Sequence, residues 1–214
     1  MLIADSIVTI ASRLKPQSGP ACAALYIRRG VMGRWHRDEL EEAFDKYREA
    51  ARKGSSTGDW EDWVNCFTPD GTYIEHVDGN FWGHDSIRKW INDLMSPWPI
   101  CEMTAFIFDW YTIDEDKGWI ITRVMNRMND LGDGRIYEER NMTILRYAGN
   151  GLFSGQEDVY NPANFEKMIT EWVMAKLEKS TPEEQERLGK ELEKTLAARA
   201  KVQGAGISAV GNAA

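Results

Sequence analysis

Three features of the 214-residue sequence predict an α+β fold. Apolar residues recur at helical spacing between Asp38 and Leu94, the period changes to two from Glu102 to Tyr160, and helical spacing returns after Pro162. Helices gathered before and after a run of antiparallel strands define that class. The composition fits a packed chain, with 43% apolar and 11% aromatic residues, nine Trp among them.

Each element has a local reason. Leu40, Ala43, Phe44, Tyr47 and Ala50 form one face of an amphipathic helix that ends near Gly54. Ser56 or Thr57 then caps a short helix carrying Trp60, Trp63 and Phe67, and Pro69 ends it. The segment DGTYIEHV is a first strand, followed by a turn at Asp78 and Gly79. Gly83 to Ser86 open a third helix with the stripe Ile87, Trp90, Ile91 and Leu94, closed by Pro97 and Pro99. Strands follow at 102–113, 118–129, 135–148 and 152–160, separated by the hairpin sequences DEDKG, DLGDG and AGNG. A helix begins at Pro162 with Phe165, Met168, Ile169, Trp172 and Val173 on one side. Ser180-Thr181-Pro182 starts another through about Ala200. Its thin stripe of Leu188, Leu192 and Leu196 marks a solvated appendage or oligomer contact rather than core. The domain reading is a weakly ordered N-terminal extension over 1–33, a central domain over 34–178, and a C-terminal helix with a disordered tail over 179–214.

Charge narrows the partners. The net charge is −8, but Arg13, Lys15, Arg28 and Arg29 against Asp5 make the first 33 residues +3, and residues 179–214 are +1, which leaves the central domain at −12. A body that acidic repels phosphate backbones and anionic lipid, so no nucleic acid and no membrane partner is expected. No apolar run approaches a membrane span, and LIADSIVTIASRL lacks the flanks of a signal peptide. Cys22, Cys66 and Cys101 are odd in number and lack ligand spacing, which suits buried free thiols in a reducing cytoplasm and no structural zinc.

The element order, together with GDWEDWVNCFTPDGTYIEHVDGNFWGHDSI, NMTILRYAGNG and EDVYNPANFEKMI, resembles the nuclear transport factor 2-like superfamily with its SnoaL-like domains over residues 38–175. The resemblance implies a cone-shaped barrel of strongly curved, mostly antiparallel sheet wrapped by N-terminal helices. Within that superfamily the motifs look most like the limonene-1,2-epoxide hydrolases. Tyr73 stands ten residues before Gly83 with Glu75 in an Asn position, Asn141-Met142-Thr143-Ile144-Leu145 matches a strand motif, and Asp158 matches the general base, with Tyr160 and Phe165 downstream. An Arg-x-Asp motif is matched only by Arg123-Val124-Met125. The family's Asp protonates the opening epoxide, and a thioether has no proton to donate.

Strand alternation puts Tyr73 and Glu75 on one face and Ile74 and His76 on the other. By the resemblance the first pair looks into the cone beside Asp158. Two carboxylates sharing a cavity with a phenol and Arg123 push their pKa values apart, leaving one a base and one a proton carrier. The expected roles are Asp158 as base, Glu75 as proton carrier or water-positioning group, Tyr73 as donor to an oxyanion, and Arg123 as the charge that keeps Asp158 ionised. The bland alternative has Arg123, Arg127 or Arg140 neutralising Glu75, Glu138 or Asp158 in a buried network. Met125, Met142, Ile144, Tyr160, Phe165 and Trp63, with Arg127 and Arg140, are the expected ligand-binding residues. His84 caps or packs at a helix start, and His36, His76 and His84 lack the spacing of a metal site. The expectation is a homodimeric, cofactor-free lyase, isomerase or hydrolase acting on a small lipophilic molecule of terpenoid, polyketide or steroid type. A non-catalytic carrier and an accessory interaction subunit are the alternatives.

Overall fold

A computed structural model describes residues 33–210, so the expected N-terminal extension and residues 211–214 lie outside the described residues. Helix α1 (Arg37–Thr57) buries Leu40, Ala43, Phe44, Tyr47, Ala50 and Ala51. It stops at Gly58, whose φ of 77° is left-handed and whose N–H donates to Gly54 O. Ser56 and Thr57 therefore belong to the last turn of α1, where their hydroxyls donate to Lys53 O. Asp59 fills the expected capping role instead, accepting from Glu61 N at 3.1 Å ahead of the single turn α2 (Glu61–Val64).

Strand β1 (Phe67–Glu75) already includes Phe67, which the sequence pattern assigned to the second helix. A short strand β2 (Gly79–Trp82) folds back on it, placing Tyr73 opposite Phe81. Helix α3 (Gly83–Met95) buries Ile87, Trp90 and Ile91. The long strands are β3 (Ala105–Asp114), β4 (Trp119–Arg127), β5 (Glu138–Gly149) and β6 (Leu152–Val159), followed by helices α4 (Pro162–Glu178) and α5 (Pro182–Val210). Asn161 Oδ1 caps α4 by accepting from Ala163 N at 3.1 Å, with Pro162 in the first turn.

The six strands make one mixed sheet in the order β2-β1-β6-β5-β4-β3. Every neighbouring pair is antiparallel except β1 and β6. Among the described residues the sheet ends at β2 and β3 and is not closed into the expected barrel. The parallel pairing fixes the site, because it sets Tyr73 beside Gln156 and Glu75 beside Asp158.

Two apolar clusters cover the inner face. One joins α1, α2 and α3 to the sheet through Phe44, Tyr47, Trp63, Phe67, Ile120 and Phe153. The other joins Trp98, Met103 and Met128 to Trp172 of α4 and Leu188 of α5. Helix α5 thus differs from the solvated appendage the thin leucine stripe implied. Leu188 is 2% exposed, although Leu196 remains 58% exposed, and the Thr195 hydroxyl donates to Trp98 O at 2.7 Å. No helix among the described residues is long and apolar enough to cross a membrane.

Candidate functional site

Alternation along the strands decides which side chains face inward. On β4 the buried positions are Ile120, Thr122, Val124 and Asn126, on β5 they are Asn141, Thr143, Leu145, Tyr147 and Gly149, and on β6 they include Gln156. The helices and this face enclose a cavity of about 840 Å³, lined by both apolar clusters and by Tyr73, Glu75, Asp158 and Tyr160. The residues expected to bind ligand divide accordingly. Trp63, Tyr160 and Phe165 line the cavity, as do the expected catalytic groups Asp158, Glu75 and Tyr73.

Arg123, Met125, Arg127, Arg140, Met142 and Ile144 do not. They occupy the alternate positions of β4 and β5, on the outer face. Arg123 pairs with Asp109 and Arg127 with Glu138, so neither neutralises Asp158. The motif match placed β4 and β5 one residue out of phase, and a one-residue slip turns every side chain to the other face. The inward positions of β4 carry no acid, so the proton donor implied by the epoxide hydrolase resemblance has no counterpart on that strand.

Asp158 is held by neutral donors alone. Tyr73 Oη donates to Oδ2, Thr143 Oγ1 donates to Oδ1 at 2.6 Å, and Gln156 Nε2 lies 3.1 and 3.2 Å from the two oxygens. Burial raises its pKa, the three hydrogen bonds pull it down, and the Glu75 charge pushes it up again. Its remaining accessible surface opens on the cavity. The Tyr73 phenol is raised well above its usual value, first by burial and then by the Asp158 charge. Its oxygen accepts from Gln156 Nε2 at 3.1 Å.

Glu75 is tied down differently. Its Oε2 accepts from Val77 N at 2.7 Å and from Asp78 N, and its Oε1 accepts from Tyr160 Oη. Burial, followed by that bond, raises the Tyr160 phenol. Two amides complete the network: Asn141, named by the sequence reading only within a motif, and Asn126, which it did not name. Asn126 Nδ2 donates to Asn141 Oδ1 at 2.7 Å, and Asn141 Nδ2 donates to Thr143 Oγ1 at 2.9 Å, so a chain of amides and a hydroxyl runs across the sheet to Asp158. Gln156 and Thr143 were missed as site residues. Spacing of two from Asp158 and from Asn141 on period-two strands is the signal that finds them.

The histidines stand apart from this network. His76 lies on the opposite face, 3.2 Å from Glu157, and His84 Nε2 packs 2.9 Å from Phe67 O at the start of α3. Cys66 is buried, and burial pushes its thiol up to about 11. Cys101 is exposed, contrary to expectation, and Cys22 lies outside the described residues.

No family model and no curated protein matches the chain. Among solved structures it is similar to a candidate isomerase from Bacillus subtilis, at 15% identity over 61% of this chain and 94% of that one, with a TM-score of 0.50. It is also similar to a candidate SnoaL-like polyketide cyclase from Jannaschia sp. CCS1, at 15% identity over 66% and 95% of the two chains and a TM-score of 0.49. An NTF2-like protein from Anabaena variabilis matches at 15% identity over 62% and 96%, with a TM-score of 0.47. Identity this low speaks for the fold alone. The chain shares its fold with the candidate isomerase from Bacillus subtilis.

Proposed function

We propose that the protein is a cofactor-independent acid/base enzyme acting on a small lipophilic carbonyl compound of polyketide, terpenoid or steroid type. One observation carries this reading: two carboxylates, Glu75 and Asp158, sit side by side on parallel strands at the polar wall of an otherwise largely apolar cavity. Asp158 combines partial access to the cavity with a pKa raised by burial, the properties of a base matched to a weakly acidic carbon acid.

The step is a proton transfer. A C–H bond next to the substrate carbonyl breaks, its proton goes to Asp158, and its electron pair moves to the carbonyl oxygen. Protonated Asp158 no longer needs the Tyr73 hydroxyl, which turns to the new oxyanion. Asp158 then returns the proton to another carbon, giving an isomer, or the enolate expels a leaving group. Glu75, fixed by two backbone amides and Tyr160, sets the field beside the base. The reading also takes the protein as a cytoplasmic homodimer, in keeping with its acidic balance and free thiols.

The test is exchange of the hydrogens next to the carbonyl in a panel of lipophilic cyclic ketones in D2O, followed by NMR. The parent is expected to catalyse exchange, and Asp158→Asn to lose roughly 10² to 10⁴ in rate with ligand affinity kept. No exchange by the parent on any ketone it binds would leave a carrier.

A further inference from the structure

The hydrogen-bond inventory of the cavity's polar wall is lopsided. The Tyr73 and Thr143 hydroxyls are both spent on Asp158, and Gln156 Nε2 serves Asp158 and the Tyr73 oxygen. Tyr160 donates to Glu75, and Tyr47 donates to Gln156 Oε1 at 2.7 Å. Asn126 Nδ2 is taken by Asn141 Oδ1 and by Glu139 O at 3.2 Å. Around Glu75 and Asp158 what stays open to a ligand is acceptors, while Arg199 and Thr170, which also line the cavity, keep donors of their own. The two carboxylates have lone pairs to spare, and Asn126 Oδ1 accepts from no described residue.

The charge balance leans the same way. The charged residues lining the cavity are Glu75, Asp158, Glu166 and Arg199, with neither lysine nor histidine among the described lining residues. Arg199, on α5, has its guanidinium 3.9 Å from Asp78 Oδ1 and forms no ion pair with Glu75 or Asp158. Around those carboxylates the walls are aromatic. The Tyr73 and Trp90 ring centroids are 4.4 Å apart, Trp63 and Tyr73 5.8 Å, and Tyr160 and Phe165 5.0 Å. Aromatic rings beside anionic acceptors favour a cation.

We propose that the ligand's inner end is an amine in its ammonium form, seated against Glu75 and the rings of Tyr73, Trp90 and Tyr160, with its apolar body toward α4 and α5. The proposal rests on the reading of this cavity as the ligand site and names the chemical class within it. Glu75 pairs with the ammonium, so Asp158 stays available as the base. A carboxylate-bearing ligand would meet two like charges at Glu75 and Asp158, where the neighbouring hydroxyl and amide donors are already taken.

The experiment compares three probes of one shape on the full chain at neutral pH: adamantylamine, adamantanol and adamantane carboxylate, by calorimetry and by quenching of the cavity tryptophans. The ammonium is expected to bind about tenfold or more tighter than the alcohol, and the carboxylate most weakly. Glu75→Gln is expected to reduce the ammonium to about the affinity of the alcohol. Because the comparison on the parent stands without the variant, poor folding of Glu75→Gln does not remove the test. Binding of all three with no preference for the ammonium, or a preference for the carboxylate, overturns this proposal and leaves the cavity reading standing. Failure of all three to bind overturns both.

Discussion

Asp158 is pulled two ways: burial favours its neutral form, while the donors Tyr73, Thr143 and Gln156 favour the anion. Burial wins, so the folded pKa lies above the unfolded value of about 4. The group's contribution to stability is then fully present below the unfolded pKa and is lost as pH rises through the folded one. Asp158→Asn removes that loss while keeping an acceptor for Thr143 and a donor for the Tyr73 oxygen. The variant is expected to melt above the parent at neutral pH, by roughly 2–4 °C for each 1 kcal/mol recovered, with the gap closing toward acid. A parent that melts several degrees higher at neutral pH would show that the hydrogen bonds outweigh burial. At this scale strand alternation put Tyr73 and Glu75 on one face, while Asp158 was picked out only by the motif resemblance. Arg123 was misjudged, because its role was borrowed from a motif whose phase β4 does not share.

Among the elements, β4 and β5 show why phase was the hard part. Trp119, Ile121 and Met125 on the outer face are as apolar as Ile120 and Val124 on the inner face, and Met142 and Ile144 mirror Leu145. A strand apolar on both faces announces its period but not its direction. Consequently Met125→Asp adds a carboxyl to the outer face, and neither the parent nor this variant is expected to hydrolyse limonene oxide above background. Turnover by either would place an acid donor where β4 presents none. Strand β2 escaped notice because four residues after a turn are too few to set a pattern. Helix α5 was undervalued because one leucine does most of its burying. Leu188→Ala is expected to cost about 2–5 kcal/mol, whereas Leu196→Ala, at a 58% exposed position, should be within about 0.5 kcal/mol of neutral. Equal effects in thermal unfolding would contradict the placement of α5.

For the molecule as a whole, function follows from one pairing that no local pattern announces. Helix, turn and antiparallel hairpin signals are short-range and could be read from the chain, but the parallel contact of β1 with β6 joins residues 85 apart, such as Tyr73 and Asp158. The superfamily resemblance brought Tyr73, Glu75 and Asp158 to one cavity, but the pairing itself was not read from the sequence. That contact turns two ordinary carboxylates into neighbours in a cavity of about 840 Å³, with Tyr73 and Tyr160 bonded to one each. The central claim is that Asp158, tuned by burial and by Thr143, Tyr73, Gln156 and Glu75 around it, is the working base. It is tested most directly by the pH dependence of hydrogen exchange on a bound ketone, parent beside Asp158→Asn. The account predicts a parent rate that climbs with pH as Asp158 ionises, its midpoint above the ordinary carboxylate value of about 4, and a variant in which that rise is gone. Superimposable profiles for the two proteins would contradict it.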